Sequence, residues 1–337
     1  MPATPSFDDF QALARTATLV PVWREFPFDT ETAVSAYHKL ARPPFGFLLE
    51  SVVGGETWAR YTMLGTEPRA AWRMRGRAVS RWTPGAGWGA EQHSADPLGD
   101  FDRLLHSYRP AELPGLPRFW GGAVGYFGYD AVRLIERLPD GPREGLGLPD
   151  ALFMLTGTVL VVDNLFNRAR AIVAVETGGV SGSGLEERYT SACRELDALV
   201  ERLRSAPGLA PLDLWEGAEA DPDFASTTTR GEFEDGVRRV QEYIRAGDAF
   251  QVVLSQRLTV PLRSEPFTLY RALRTLNPSP YLFHLDLDGF HLIGSSPEVM
   301  VRLEEGRVTV RPIAGTRRRG GDDEEDRRLA ESLLADP

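Results

Sequence analysis

Two long stretches rich in β-branched and aromatic residues restrict this chain to a sheet-based fold. They are "FGFLLESVVGGETWARYTMLG" (residues 45–65) and "ALFMLTGTVLVVDNLFNRARAIVAV" (151–175), each interrupted by glycine or Asn/Asp turn signals. Such runs form strands that fold back on themselves across short turns. Between them, "FWGGAVGYFGYDAVRLIERLP" predicts a glycine-rich bend leading into a helix that ends before Pro139. Its glycines do not follow G-x-G-x-x-G spacing and no βαβ unit surrounds them. Close backbone packing therefore explains them better than a dinucleotide does. Strands and helices alternate without regular βαβ units, which predicts an α+β protein with largely antiparallel sheets and flanking helices.

Length and charge narrow the function classes. The 337 residues suffice for about two domains at roughly 100–200 residues each. A net charge of -10 argues against phosphate-backbone binding, so no nucleic-acid partner is expected. The single cysteine, Cys193, allows neither an intramolecular disulfide nor a cysteine zinc cluster. No secretory signal and no apolar run of roughly 18 residues is present, so no membrane partner is expected and the cytoplasm is the expected compartment. Basic charge is almost all arginine. Lys39 is the one lysine, which removes lysine nucleophiles from the rest of the chain.

"LEERYTSACRELDALVERLRS" predicts a helix, and the Pro-, Gly- and acid-rich "APGLAPLDLWEGAEADPDF" predicts a linker. The expected organisation is an N-terminal domain over 1–205, a linker over 206–225 and a second domain from 226 to 337. In the second, Phe233, Val237, Val240 and Ile244 share a helical face, with Gly247 as the stop. "AFQVVLSQRLTV" predicts a strand with Gln251 on one face. "GFHLIGSSPEVMVRLEEGRVTVRPIAGT" predicts a strand, a break and a hairpin turning at Glu305-Gly306, which would set Glu298 near Ile313. "DDEEDRRLAESLLADP" predicts a helix with acids in its first turn.

Seven segments, in order, carry a resemblance: "FLLES", "RYTMLG", "GGAVGYFGYD", "GDAFQVVLSQR", "NPSPYLF", "GSSPE" and "RPIAGTRRRG". Together they resemble component I of anthranilate synthase, within the chorismate-utilising enzymes, from about Pro21 onward. The resemblance implies a two-lobed fold and a lyase that turns chorismate and ammonia into anthranilate and pyruvate. It further implies Mg2+, a glutamine amidotransferase subunit (component II) as partner, and feedback inhibition by L-tryptophan. Glu298 matches the general acid, which burial would keep protonated. Gly315 and Thr316 match the chorismate-binding pair, with Ala314 beside them. The Mg2+ ligands of the family are expected beyond Pro337, none within this chain, so the 337 residues alone are expected to be inactive. Arg317, Arg318 and Arg319 read as loop charges, and the acid run Asp322 to Asp326 as a solvated helix start.

Relatives with other chemistries place a lysine at the position of Gln251 or of Ala314. A glutamine is no base, and an alanine forms no covalent adduct. Glu50, Ser51, Pro280, Tyr281 and Leu282 match the tryptophan pocket, where Glu50 would pair with the ligand's ammonium. Two alternatives stay open, a 2-amino-2-deoxyisochorismate synthase and a non-catalytic tryptophan-binding remnant.

Overall fold

The computed structural model describes residues 2–51, 60–139, 145–205, 207–213, 223–310 and 315–336. Two compact units divide it, Met1–Leu209 with Leu273–Pro337, and Ala210–Ala272.

The larger unit opens with α1 (Phe7–Leu13), β1 (Leu19–Pro27), α2 (Ala33–Leu40), β2 (Phe45–Glu50), β3 (Tyr61–Thr66), β4 (Ala70–Arg75) and β5 (Ala78–Thr83). Next come β6 (Gly87–Trp88), β7 (Gln92–His93), α3 (Pro97–His106) and β8 (Ala123–Phe127), then a 3₁₀ turn at Tyr129–Leu134. β9 (Ala151–Leu155), β10 (Thr158–Asp163), β11 (Arg168–Glu176) and α4 (Ser183–Ser205) follow. In the smaller unit lie β12 (Ala225–Ser226), α5 (Arg230–Ala246) and β13 (Leu258–Thr259), then α6 (Pro266–Leu276) begins. The chain returns to the larger unit with β14 (Tyr281–Leu287), β15 (His291–Ser296), β16 (Arg302–Glu304), β17 (Arg307–Thr309) and α7 (Asp323–Leu334).

Among the described residues the main sheet runs β1-β11-β10-β3-β2-β14-β15, with every neighbouring pair antiparallel. A second sheet runs β6-β5-β4-β9-β8, with β7 on β5. This is the mixed helix and antiparallel-sheet arrangement expected from the sequence. Strand alternation sorts the side chains. Phe45, Phe47, Val159, Ile172, Leu285 and Leu287 of the main sheet meet Ala71, Val124, Leu152 and Met154 of the second in one core. The opposite set on the second sheet, Trp72, Met74 and Ala151, packs on Phe101 of α3. On the main sheet's other face, Arg24 of β1 reaches Asp197 of α4, whose Leu185, Leu196, Leu199 and Leu203 are buried. Gly65 is required by close approach, because a Cβ there would stand 2.3 Å from the Phe47 ring.

The glycine-rich segment before Pro139 departs from expectation. It forms an edge strand, β8, and only a short 3₁₀ turn follows. Backbone proximity is the cause: a Cβ on Gly125 would sit 1.9 Å from the Leu152 carbonyl oxygen of β9. The strand expected over residues 249–260 is also absent, apart from Leu258–Thr259, which pairs with Ala225–Ser226. Residues 251–257 have no ladder partner among the described residues, and β propensity alone does not hold an extended chain. By contrast α5 forms as read, with a Thr229–Glu232 capping box and Gly247 at φ 85 closing it. The hairpin also turns at Glu305-Gly306, since Glu304 pairs with Arg307.

Candidate functional site

β2 and β14 come together although they lie far apart in sequence. Their ladder sets Leu282 opposite Glu50, Phe283 opposite Leu49 and His284 opposite Leu48. Ser51 directly follows Glu50, and Pro280 and Tyr281 directly precede Leu282. All five residues expected in the inhibitor pocket therefore meet at one end of one strand pair. Leu282 is 1% exposed and Glu50 6%, while Pro280 and Tyr281 are half-buried. The Glu50 carboxylate accepts from Arg274 of α6, Nε to Oε2 at 2.8 Å and Nη2 to Oε1 at 3.3 Å. Ser51 Oγ is buried and has no hydrogen-bond partner among the described residues.

The same face continues along β14 with His284 and Asp286. The His284 ring lies edge-on to Tyr37 of α2 at 5.3 Å and 5.5 Å from the His291 ring. His291 Nδ1 is 3.7 Å from Asp286 Oδ1. Burial, with His291 adding to it, pushes His284 down to about 4. Burial pushes both the Asp286 carboxyl and the Tyr37 hydroxyl up. Neither this row nor Arg274 was anticipated from the sequence. The alternation in "HLD" carried a signal for the row, but Arg274 lies 224 residues from Glu50 and gave none.

The expected catalytic residues are distributed differently. Tyr281 pairs with Ser296, so the "GSSPE" segment leaves the sheet beside the same strand end. Glu298 follows, exposed, with its backbone N–H 3.5 Å from Ser296 Oγ and its carbonyl accepting from that hydroxyl at 3.2 Å. The burial expected of a protonated acid is thus not provided by the described residues, because the ladder stops at Arg302 and Thr309. Ile313 and Ala314 lie outside the described residues. Gly315 and Thr316 are exposed, and a Cβ on Gly315 would meet Leu333 of α7 at 2.6 Å. Gln251 is exposed in the smaller unit, not on a strand face. The arginine run is spoken for: Arg317 pairs with Asp336, Arg318 with Glu325, and Arg319 with Asp326 at 2.7 Å. Asp322 caps α7 by accepting from Glu324 and Glu325 N–H groups. Among the described residues no group of three His, Cys, Asp or Glu side chains is placed to hold a metal ion, so they do not fit the magnesium that the resemblance implies.

The model of the chorismate-binding enzyme family matches residues 63–337. The chain belongs to the chorismate-binding enzymes. Over 323 residues it is 45% identical to the anthranilate synthase component 1 of Pseudomonas putida, covering 94% of this chain and 64% of that protein. The component 1 of Aquifex aeolicus is 39% identical over 335 residues, 98% of this chain and 66% of that protein. Among solved structures, anthranilate synthase component I from Streptococcus pneumoniae TIGR4 superposes with a TM-score of 0.64 at 29% identity. That match covers 92% of this chain and 64% of the pneumococcal one. This member of the chorismate-binding enzymes thus spans about two thirds of the length of the relatives it matches.

Proposed function

We propose that this chain works as component I of an anthranilate synthase, converting chorismate and ammonia to anthranilate, pyruvate and water. The observation that carries the reading is chain-long similarity to proteins of that name, 45% in the Pseudomonas putida case. The residue types at the two diagnostic positions support it. Gln251 and Ala314 supply neither a base nor a nucleophile, and the sole lysine, Lys39, is buried and donates to Glu31 and to the Leu203 carbonyl.

In this reading ammonia, which brings its own lone pair, attacks C2 of chorismate, and Glu298 gives its proton to the departing C4 hydroxyl. Gly315 lets the ring approach the backbone, Thr316 offers a hydroxyl hydrogen bond, and loss of pyruvate makes the ring aromatic. A component II amidotransferase supplies the ammonia, and the enzyme is cytoplasmic. L-Tryptophan inhibits from the end of β2 and β14. What supports that pocket is the Glu50–Leu282 ladder pair beside the buried Ser51 hydroxyl.

The test is anthranilate fluorescence from chorismate, ammonium and magnesium, in protein carrying this sequence at the full length of its relatives. A folded protein of that length that forms no anthranilate overturns the activity. Tryptophan should raise the melting temperature and Ser51→Phe should remove the rise; no rise in the parent protein overturns the pocket.

A further inference from the structure

The pocket end of β2 already contains a cation. Among the described residues no other carboxylate is as deeply buried as Glu50, whose side chain is 4% exposed. A carboxylate at that depth needs a positive partner, or its lost hydration is uncompensated. Arg274 supplies that partner and engages both oxygens at once. Its own side chain is 37% exposed, so the guanidinium approaches from the rim and not from the interior. Beside it, the Ser51 hydroxyl is buried without a hydrogen-bond partner among the described residues.

These facts set up a competition. An amino group that comes to Glu50 brings a second positive charge to oxygens the guanidinium holds, and like charges so close repel. This sets a contest between two cations for the same two oxygens. It is relieved by movement, because a rim guanidinium that swings outward recovers its hydration in water.

We infer that Arg274 is a built-in competitor for the ligand of this pocket, releasing Glu50 when the ligand's ammonium takes its place. The inference rests on the proposed tryptophan pocket and adds the residue that sets its affinity. Arg274 is a positioning residue: it holds Glu50 in place between binding events and weakens binding by doing so. The recognised group is the primary ammonium, and the ligand's carboxylate plays no part in the exchange.

Calorimetry on the 337-residue chain tests this with three ligands: L-tryptophan, tryptamine (ammonium without carboxylate) and indole-3-propionate (carboxylate without ammonium). Arg274→Met should bind tryptophan and tryptamine at least about fivefold more tightly than the parent, a typical coupling size. Indole-3-propionate should be unaffected. The variant should also melt lower without ligand and gain more from tryptophan than the parent does. Equal or weaker tryptophan binding overturns the inference. Weaker tryptophan binding with unchanged tryptamine binding would make Arg274 a clamp for the carboxylate instead. If Arg274→Met does not fold, Arg274→Lys, which gives up the two-point contact, should show a smaller tightening of the same sign, and no tightening overturns the proposal. A parent chain that binds tryptophan while the variants match it defeats this inference alone. If neither parent nor variants bind any of the three, the pocket reading falls with it.

Discussion

The strand pair β2–β14 carries the proposed inhibitor pocket and the segments 297–310 and 315–320 carry the proposed catalytic residues, and they are built in opposite ways. The first is a six-residue ladder inside a wide sheet, with Phe45, Phe47, Leu285 and Leu287 committed to a shared core. The second is a three-pair hairpin, and residues 315–320 belong to no helix or strand. Met300, Val301, Leu303, Val308 and Val310 are all at least half exposed there, and ion pairs to or beside α7 hold the arginines. Long-range pairing fixes Glu50 at a set depth. Local turns leave Glu298 in water. The contrast shows that a motif can be complete in sequence while its environment depends on residues far along the chain.

Four measurements would break or sharpen that contrast. Glu298→Gln should lower anthranilate formation by about 10²–10⁴-fold. Its unfolding free energy should move by less than about 0.5 kcal/mol, because the carboxylate is exposed. A large stability loss would mean that Glu298 is structural. On the ladder side, Phe47→Ala removes a ring that is 1% exposed and covers Gly65, and should cost about 3–5 kcal/mol in urea denaturation. A loss under about 1 kcal/mol would contradict the packing described.

The third measurement is pH dependence. His284 keeps a neutral ring down to about 4, whereas unfolded it takes a proton near 6.5. The unfolded state therefore binds more protons between those values, and stability falls as pH drops through that window, by at most about 1.4 kcal/mol per unit. Asp286, raised by burial, has the opposite sign: its contribution is present at low pH and is lost as pH rises through its folded value. His284→Leu should flatten the acid-side loss and leave the Asp286 trend, read from urea midpoints across that range. An unchanged slope would show that His284 does not titrate in this way. The smallest effect belongs to the arginine run. Arg318→Ala, at a side chain 71% exposed, should shift stability by no more than about 0.5 kcal/mol, and added salt should erase even that.

Much of the fold is legible in the residues themselves. The apolar runs around Leu48 and Val161 form the strands they suggest, because burial on both faces leaves them few alternatives. The Thr229–Glu232 capping box, Gly247 and the Glu305-Gly306 turn are local devices and act locally. What failed depended on partners. Residues 251–257 have the composition of a strand, but a strand exists only against another. The "GSSPE" motif names an acid, yet nothing within five residues of Glu298 determines its burial. The meeting of Glu50 with Leu282 was implied by resemblance. The arrival of Arg274 was not, since a helix surface arginine gives no hint of a carboxylate 224 residues earlier.

The strand order has a further consequence, for synthesis. β2 receives β3 on one side soon after it is made, but its other neighbour is β14, which begins at Tyr281. At roughly 5–20 residues per second, the interval is on the order of ten to fifty seconds. Throughout it the nascent chain carries "FGFLLE" as an open, apolar strand edge, the kind that joins other chains. Slowing elongation between residues 210 and 280 should therefore increase aggregation of the newborn protein, without altering a single contact in the finished one.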